Sequence, residues 1–278
     1  MSVAVTQTEV PVGSPYDYRI VPKEPGENVI QRALENGDPG FMHSFTTGST
    51  VDGPGVRVVG WLSGCQFKCV YCHNPDTWKI TNGVPVTVER ALEVIKDYRH
   101  ALEVMKGGVT LSGGEPLFQH RFVLNVFAGA KDAGVHTALD TNGFLGSRLT
   151  DENLQLIDLM LLDLKAITPE LHQRLTSQPN EPVLAFARRL AAKHRPVWVR
   201  FVLVPGWTDT PAEVEKVASF VASLGNVERV DVLPFHQMGK FKWERLGMDY
   251  QLRDAKPPLR EQVEEAVAKF TAKGMKAY

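Results

Sequence analysis

The sequence contains only three cysteines in 278 residues, Cys65, Cys69 and Cys72, and all of them lie within eight positions. An odd, tightly clustered set argues against the disulfide framework of a secreted domain, which uses an even number of scattered cysteines. In a reducing compartment, clustered thiols more often bind a metal or take part in redox chemistry. The cysteine pattern therefore predicts a metal or redox site.

Long apolar runs and an excess of one charge are missing too. No stretch reaches the roughly 18 apolar residues of a transmembrane helix, and residues 1–10 lack the basic and apolar regions of a secretory signal. The formal net charge is −1, without a polybasic patch. We therefore expect a cytoplasmic monomer with neither a membrane nor a nucleic-acid partner.

Residues 1–41 differ in composition from the rest of the chain, because five prolines and four glycines punctuate them. Only residues 27–36 have the pattern of a short helix. The apolar content of this segment is too low for a core of its own. We predict an N-terminal extension over residues 1–41, flexible or draped on the surface, and one large domain over residues 42–278.

From residue 42 onward, short apolar segments alternate with helical segments. The predicted strands are 56–62, 108–111, 136–139, 159–164, 197–204 and 227–233. The predicted helices are 87–105, 119–133, 150–157, 182–194, 211–224 and 257–273. Six such units predict an α/β fold with a parallel sheet, here a partial, open (β/α)6 TIM-like barrel. Functional groups should gather at the carboxyl ends of its strands.

The loop after the first predicted strand has the spacing C-x3-C-x2-C. Three thiolates at this spacing can each reach one iron of a cubane 4Fe–4S cluster, which normally takes four cysteines. Since the sequence has no fourth cysteine, one iron would be open to a substrate. A zinc site completed by His73 and three structural cysteines without a metal are the alternatives.

Distinctive residues follow the next predicted strands as well. The second strand ends in Ser112-Gly113-Gly114-Glu115-Pro116. Here the backbone and the carboxylate could approach a ligand closely, or the segment could be a simple turn before a helix. Asp140 directly follows the third strand, and Asp163 lies within the Leu-rich fourth strand. A buried aspartate is costly unless it is paired or bound to a cation. These two predict a shared cation with oxygen ligands, or else a local Asp163–Lys165 pair.

These segments resemble the radical S-adenosylmethionine superfamily and, within it, the family of pyruvate formate-lyase-activating enzymes, over residues 42–278. The cysteine motif and the Gly-Gly-Glu motif carry the superfamily resemblance. The more specific matches are Thr50–Arg57, Tyr71–Trp78, Leu139–Phe144, Val204–Trp207 and Leu233–Lys240. No cysteine follows Cys72, so the cysteine-rich insert of many related activases is missing. The family often has Glu-Ser-Cys-Gly where this chain has residues 46–49.

The resemblance implies a barrel of the radical S-adenosylmethionine type, with the cofactor bound at the iron that no cysteine holds. The residues that the resemblance assigns to S-adenosylmethionine are Tyr71, His73, Asn74, Gly113, Gly114, Glu115, Lys165 and His236. Glu115 would act through backbone and carboxylate on the amino group, whereas Lys165 and His236 would hold the carboxylate. The ligands implied for a monovalent cation, K+ or Na+, are Asp140, Thr141, Asp163 and the carbonyl of Leu161, where the family usually has Met.

The activity implied is reductive cleavage of S-adenosylmethionine, with the 5′-deoxyadenosyl radical taking a hydrogen atom from a specific glycine of pyruvate formate-lyase. Flavodoxin or ferredoxin would supply the electron. Asp52 and Arg200 are candidates for contacting the substrate loop, although Arg200 could be a plain charge at the barrel mouth. The alternatives are action on another glycyl radical enzyme or on a small molecule, and a cluster-carrying electron-transfer or scaffold protein.

Overall fold

The computed structural model describes residues 29–278, so most of the predicted N-terminal extension lies outside the described residues. The strands are β1 Gly40–Ser49, β2 Arg57–Leu62, β3 Val84–Val86, β4 Gly108–Gly113, β5 His136–Thr141, β6 Leu159–Asp163, β7 Val197–Leu203 and β8 Val227–Pro234. The helices are α1 Val29–Asn36, α2 Val88–Val104, α3 His120–Asp132, α4 Pro169–Thr176, α5 Glu181–Ala192, α6 Pro211–Leu224, α7 Lys240–Arg245 and α8 Arg260–Ala272.

All eight strands form one sheet in the order β3-β1-β2-β4-β5-β6-β7-β8. The six strands from β2 to β8 are parallel neighbours in chain order, while β1 pairs antiparallel with both β2 and β3. Within residues 29–278 the two outer strands, β3 and β8, do not pair with each other. The predicted open, partial (β/α)6 barrel is thereby confirmed, with a two-strand antiparallel extension.

Three helices begin or end at signals that the sequence carries. The Thr87 side chain accepts a hydrogen bond from the backbone N–H of Arg90 (3.1 Å) and caps α2. Helix α3 ends just before Gly134, whose φ is 73°, and α6 begins with Pro211 after the capping side chain of Thr210. These are the usual start and stop residues of helices.

One predicted helix is wrong, and some elements were not predicted. Residues 150–157 form only a short 3-10 turn, Asn153–Leu156. The side chains of Thr150 and Asn153 each accept a hydrogen bond from the other residue's backbone N–H, as in the capping box at the start of a helix. The turn nevertheless ends at Ile157, whose backbone is already extended (φ −120°, ψ 111°). Strands β1 and β3 and helices α4 and α7 were not predicted, because each is short or lacks a regular apolar period.

Helix α1 confirms the short helix that the sequence pattern predicts within residues 27–36, and it lies against α3. Arg121 donates to the carbonyl of Glu35, and Asn125 Nδ2 donates to the carbonyl of Gly37 (3.3 Å). A Cβ on Gly37 would lie 2.7 Å from the Cβ of Arg121, so only glycine allows this approach. The last part of the 1–41 segment therefore packs on the domain.

The two faces of the sheet are packed differently. Its outer face and the helices share one large apolar core, which includes Phe122, Phe127, Phe201 and Phe270. The inner face has a small apolar floor of Ala138, Leu159 and Leu161, against which Trp198 packs. Since residues two apart on a strand share a face, Asp140 and Asp163 lie above this floor, at the carboxyl ends of β5 and β6. The inner face is thus free to hold polar groups.

Within residues 29–278, no helix is both long enough and apolar enough to cross a membrane.

Candidate active site

The loop after β2 that carries the cysteines is held on two sides by backbone hydrogen bonds. Gly64 N–H donates to the Thr77 carbonyl (2.7 Å) and Cys65 N–H to the Trp78 carbonyl (3.1 Å). On the other side, Lys68 N–H donates to the carbonyl of Thr176, the last residue of α4 (2.8 Å). The loop therefore has a fixed path, although it is neither helix nor strand.

The three thiols are free and line the same cavity. Burial raises the pKa of Cys65 well above its ordinary value, with the neighbouring Cys69 as the next cause. Burial likewise raises the pKa of Cys69 to about 12. Iron binds the thiolate form of cysteine, so cluster assembly would release the thiol protons. The iron ions would then take the place of these protons on the sulfurs. Thiols with raised pKa values are poor nucleophiles, so this arrangement favours a metal site over an exposed nucleophile.

The two glycines after β4 lie directly against this loop. Gly114 N–H donates to the Leu62 carbonyl, and Glu115 N–H donates to the Gly64 carbonyl (both 2.8 Å). A Cβ on Gly114 would lie 2.6 Å from the carbonyl oxygen of Gly64 and 3.1 Å from the Cβ of Cys65. The glycine pair therefore lets the second strand end pack onto the cysteine loop, so the alternative of a simple turn does not describe it fully.

Glu115 differs from the expectation that its carboxylate faces a ligand. The side chain is fully buried and does not line the cavity. Its Oε1 accepts from Thr141 Oγ1 (2.7 Å) and from Leu117 N–H (2.9 Å), and its Oε2 accepts from Asn142 N–H (2.8 Å). Burial raises the pKa of Glu115 to about 7, against these three donors. The carboxylate thus joins the ends of β4 and β5 from behind the site.

The cavity has a volume of about 480 Å³, within the roughly 300–1,000 Å³ usual for small-molecule sites. The predicted site residues that line it are Asp52, Cys65, Cys69, Tyr71, Cys72, His73, Asn74, Gly113, Gly114, Asp140, Asp163, Lys165, Arg200 and His236. Glu115, Thr141 and Leu161 do not line it. Leu161 lies opposite Asp140 in the register of β5 and β6.

Arg200 joins two carboxylates across the cavity. Its Nη1 lies 2.8 Å from Asp140 Oδ2 and its Nη2 lies 3.2 Å from Asp52 Oδ1, so the guanidinium bridges β5 and the β1–β2 loop. Ser112 Oγ also donates to Asp140 Oδ2 (2.6 Å). Burial raises the pKa of Asp140, although Arg200 opposes this. Arg200 is therefore an integral part of the site, not an isolated charge at the barrel mouth.

Asp163 and Lys165 form the local pair that the sequence allowed. Lys165 Nζ lies 2.8 Å from Asp163 Oδ2, and it also lies over the ring of Tyr71, 5.6 Å from its centroid. Burial alone would lower the pKa of Lys165, but Asp163, Tyr71 and Cys69 raise it well above its ordinary value. The Tyr71 hydroxyl is buried and has no hydrogen-bond partner among residues 29–278. A charged lysine and an unsatisfied hydroxyl therefore face one cavity.

His73 and His236 lie together on the far side of the cysteine loop. Their rings stack with centroids 4.0 Å apart, and His73 Nε2 lies 3.2 Å from the His236 carbonyl. Burial and the neighbouring His236 lower the pKa of His73. The side chain of Asn74 accepts from Lys242 Nζ of α7 (2.8 Å), which also pairs with Asp76. Helix α7 thereby closes this side of the cavity.

The zinc alternative lacks a ligand set. A tetrahedral site would need the three thiols and His73 around one ion. Across the part of the chain that the structure describes, no three or more His, Cys, Asp or Glu side chains converge on one ion position. A cubane cluster does not require such convergence, because each cysteine binds a different iron.

The cavity also has lining residues that sequence reasoning did not single out. Among them are Ser112, Asn142 and Trp78. All three stood inside segments that carried the family resemblance, Ser112 near the end of β4, Asn142 after β5 and Trp78 at the end of the cysteine segment. Their membership of these segments was the available signal.

The donor set of this cavity fits both implied cofactors. Three thiols without a fourth, two of them buried and that of Cys72 half-buried, would leave one iron of a 4Fe–4S cluster for another ligand. Beside them lie a glycine pair where an added Cβ would clash, a cationic Lys165 and the partnerless Tyr71 hydroxyl. Lys165 suits a carboxylate, the Tyr71 hydroxyl can bond a polar group, and the glycine pair lets a ligand approach the backbone closely.

Comparison with known proteins agrees with this chemistry. The family model of the radical SAM superfamily matches residues 61–221, more than half of the chain. The chain is 44% identical over 227 residues to pyruvate formate-lyase 1-activating enzyme of Escherichia coli K12, covering 81% of this chain and 92% of that protein. It is 43% identical over 242 residues to pyruvate formate-lyase-activating enzyme of Staphylococcus aureus USA300, covering 84% and 96%.

Two solved structures are also similar. A domain of pyruvate-formate lyase-activating enzyme from Bacteroides vulgatus has a TM-score of 0.51 at 28% identity, covering 62% of this chain and 98% of that domain. SuiB of Streptococcus suis, bound to its precursor peptide, has a TM-score of 0.59 at 14% identity, covering 79% and 48%, and shows the fold alone. The chain belongs to the radical S-adenosylmethionine superfamily and, within it, to the family of pyruvate formate-lyase-activating enzymes.

Proposed function

We propose that this protein activates a pyruvate formate-lyase by generating a radical on one of its glycines. One observation carries the proposal: three thiols, a glycine pair and charged groups from four strand ends meet at one cavity. They do so in a chain 43–44% identical to two activating enzymes of that name. The cofactors implied by the superfamily supply the chemistry, which is one-electron cleavage of S-adenosylmethionine to a 5′-deoxyadenosyl radical that takes the glycine hydrogen.

The residues around the cofactor have distinct roles in this proposal. The thiolates of Cys65, Cys69 and Cys72 hold the 4Fe–4S cluster. The backbone of Gly113 and Gly114 lets the cofactor's amino group approach, whereas Glu115 holds that strand end from behind. The cofactor-binding residues further around the cavity are Tyr71, His73, Asn74, Lys165 and His236. Lys165 gives a cationic partner for a carboxylate and is held in place by Asp163.

A monovalent cation, K+ or Na+, is part of the proposal. Asp140, Thr141, Asp163 and the carbonyl of Leu161 would be its ligands. Asp140 and Asp163 line the same cavity, which supports a shared cation, and oxygen ligands suit a hard ion. The pairs Asp140–Arg200 and Asp163–Lys165 would have to loosen for direct coordination.

The substrate loop would enter at the open side of the barrel. Asp52 lies in the loop between β1 and β2, and Arg200 Nη2 reaches both its carboxylate and the carbonyl of Val51 (3.1 Å). These groups can pair with the backbone of a peptide that passes beside them. A folded domain could not enter, so the partner must expose its glycine in a loop, with an entropic cost of ordering.

The remaining assignments complete the proposal. Flavodoxin or ferredoxin would deliver the electron to the cluster, and the protein would act as a cytoplasmic monomer. Residues 42–278 would form the radical S-adenosylmethionine domain, with residues 1–41 as an extension to it. The packing of α1 on α3 indicates that residues 29–41 stay with the domain.

The test is anaerobic mixing of the reconstituted, reduced protein with pyruvate formate-lyase and S-adenosylmethionine. We expect a glycyl radical in the electron paramagnetic resonance spectrum, together with 5′-deoxyadenosine and methionine. Cys65→Ala should give neither, while Ser63→Ala, which removes a buried hydroxyl without a partner, should give both. Cofactor cleavage without a radical on this partner would instead indicate another glycyl radical enzyme or a small-molecule substrate.

A further inference from the structure

Asn142 is buried at the end of β5 and lines the cavity beside the cysteine loop. Its backbone N–H donates to Glu115 Oε2 (2.8 Å), and Gly143 follows with a positive φ of 73°. The residue is therefore fixed by the strand end before it and the turn after it. Its side chain points back toward the cysteines rather than outward.

Hydrogen bonds fix which end of the Asn142 amide faces the cysteines. Its Oδ1 accepts from the Phe144 backbone N–H (3.1 Å) and from Gln66 Nε2 (3.0 Å). A backbone N–H can only donate, so the oxygen must be on that side. The Nδ2 group then faces Cys65 Sγ at 4.0 Å. Within residues 29–278, this sulfur is the one acceptor of that N–H group.

An N–H group aimed at a cysteine ligand affects the charge states of a cluster unequally. Reduction adds one electron, and much of the added negative charge resides on the sulfurs. A hydrogen-bond donor therefore stabilises the reduced form more than the oxidised form and raises the reduction potential. The low local dielectric of a buried site strengthens the effect.

We propose that Asn142 is a positioning residue that raises the reduction potential of the cluster by donating its amide N–H to the Cys65 sulfur. Gln66 supports it by holding the amide in the donating orientation. The inference rests on the cluster at the three cysteines, which is part of the proposed function, but not on the identity of the protein partner. Its consequence is a cluster that a moderate reductant can reduce.

The test is a redox titration of the anaerobically reconstituted protein without S-adenosylmethionine, with dithionite as reductant and the reduced cluster followed by electron paramagnetic resonance. Asn142→Leu removes the donor without adding charge. Its equilibrium constant for reduction should fall between about threefold and tenfold, at 59 mV more negative per factor of ten. Iron content per chain shows whether the cluster is complete.

Two further variants separate hydrogen bonding from charge. Asn142→Asp keeps an oxygen for Phe144 and Gln66 but loses the donor, and should shift at least as far in the same direction. Asn74→Asp adds a carboxylate to the same cavity beside Lys242, without removing an N–H from a sulfur, and should shift less than Asn142→Leu. A shift in Asn142→Asp with none in Asn142→Leu would reflect the charge alone and overturn the proposal.

If Asn142→Leu cannot assemble a cluster, Gln66→Leu and Asn142→Asp decide. Gln66→Leu should give a smaller shift in the same direction, because the amide loses one of its two anchoring donors. An unchanged potential in Gln66→Leu, at full iron content, contradicts the role of Asn142, because a shift in Asn142→Asp alone would reflect its charge. Failure of pyruvate formate-lyase activation would leave these potentials untouched, so the two proposals fail separately.

Discussion

At the residue scale, Arg200 joins the carboxylates of Asp140 and Asp52, for which the sequence predicts different roles. Asp140 was predicted as a cation ligand and Asp52 as a substrate contact, yet both pair with one guanidinium. Arg200 keeps its charge under all ordinary conditions and presents several donors in a planar fork. The proposed cation site and the proposed substrate contact are therefore connected through one side chain.

Asp140→Asn tests the cation site. We expect weaker binding of S-adenosylmethionine, by on the order of 2–5 kcal/mol, because a buried charge partner is lost. The measurement is calorimetric titration of the cofactor into reconstituted protein in K+ buffer and in buffer without alkali cations.

The matched control for this variant is Asp231→Asn. Asp231 is also a buried aspartate on the inner face of the sheet, but it pairs with Arg229 and does not line the cavity. Its loss should leave cofactor affinity unchanged. A wild-type affinity that is the same with and without K+ or Na+ would contradict the cation assignment.

At the element scale, the ends of β2 and β4 form one unit. Gly113 pairs with Leu62 in the parallel register, and Glu115 N–H then bonds to the loop that begins at Gly64. The cysteine motif and the Gly-Gly-Glu motif are separated in sequence by β3, α2 and β4. Because β4 returns parallel to β2, the carboxyl ends of β2 and β4, which carry the two motifs, lie side by side.

Gly114→Ala should displace the cysteine loop. The added Cβ would lie 2.6 Å from the Gly64 carbonyl oxygen, and neither backbone can move without breaking a hydrogen bond. We expect reduced iron content after reconstitution and weaker cofactor binding. Gly206→Ala is the control, since its φ of 77° gives only the backbone strain of about 1 kcal/mol and no atom lies within 4 Å of the added Cβ. Full iron content in Gly114→Ala would show that the loop tolerates the shift.

The first residues of β2, β4 and β5 are joined by a buried arginine. Arg57 is fully buried, and it donates from Nε to Thr110 Oγ1 (2.9 Å) and from Nη2 to the Val109 carbonyl (2.5 Å). Its Nη1 lies 3.2 Å from His136 Nδ1. Burial lowers the pKa of Arg57 to about 10, so the group is still charged at neutral pH. It ties three strands together at the end of the barrel opposite the site.

Arg57→Met should lower the free energy of unfolding by about 3 kcal/mol, because it leaves buried acceptors without donors. Chemical denaturation of the protein measures this change. Arg260→Met removes an arginine that is exposed and paired only with Glu264, and it should cost less than about 1 kcal/mol. Equal stabilities of the two variants would contradict a structural role for Arg57.

At the scale of the whole molecule, the barrel is open on one side. The sheet ends at β3 and β8, and the loop between β1 and β2 reaches from one side of the barrel to Arg200 on β7. Asp52 and Arg200 line the same cavity as the three thiols, so a peptide in that cavity can pair with both. This geometry favours a flexible protein loop as substrate.

Asp52→Asn should raise the KM for the protein substrate while leaving uncoupled cofactor cleavage nearly intact. The charge pair with Arg200 is weakened, but the cysteines and the Asp163–Lys165 pair are untouched. The measurement compares the rate of glycyl radical formation with the rate of 5′-deoxyadenosine formation without partner. Equal losses in both rates would place Asp52 in the cofactor site instead.

The sequence by itself determined the order of six strands, the parallel sheet and the residues that surround the cavity. These follow from local signals: apolar runs bounded by glycine, capping residues such as Thr87, and three clustered cysteines at a spacing that suits a compact metal cluster. Fourteen of the predicted site residues, several of them assigned by the family resemblance, line one cavity. Apart from Asp52 and Arg200, each stands at the carboxyl end of a parallel strand or in the loop that follows one.

Only the tertiary structure decided how these residues pair. Glu115 faces away from the cavity because Thr141 and Asn142, far along the chain, supply donors to both of its oxygens. Arg200 meets Asp140 and Asp52 because β7, β5 and the β1–β2 loop converge there, which no local pattern encodes. The antiparallel strands β1 and β3 and the orientation of the Asn142 amide depend likewise on partners distant in sequence, because hydrogen bonds between distant segments form only once the sheet is assembled.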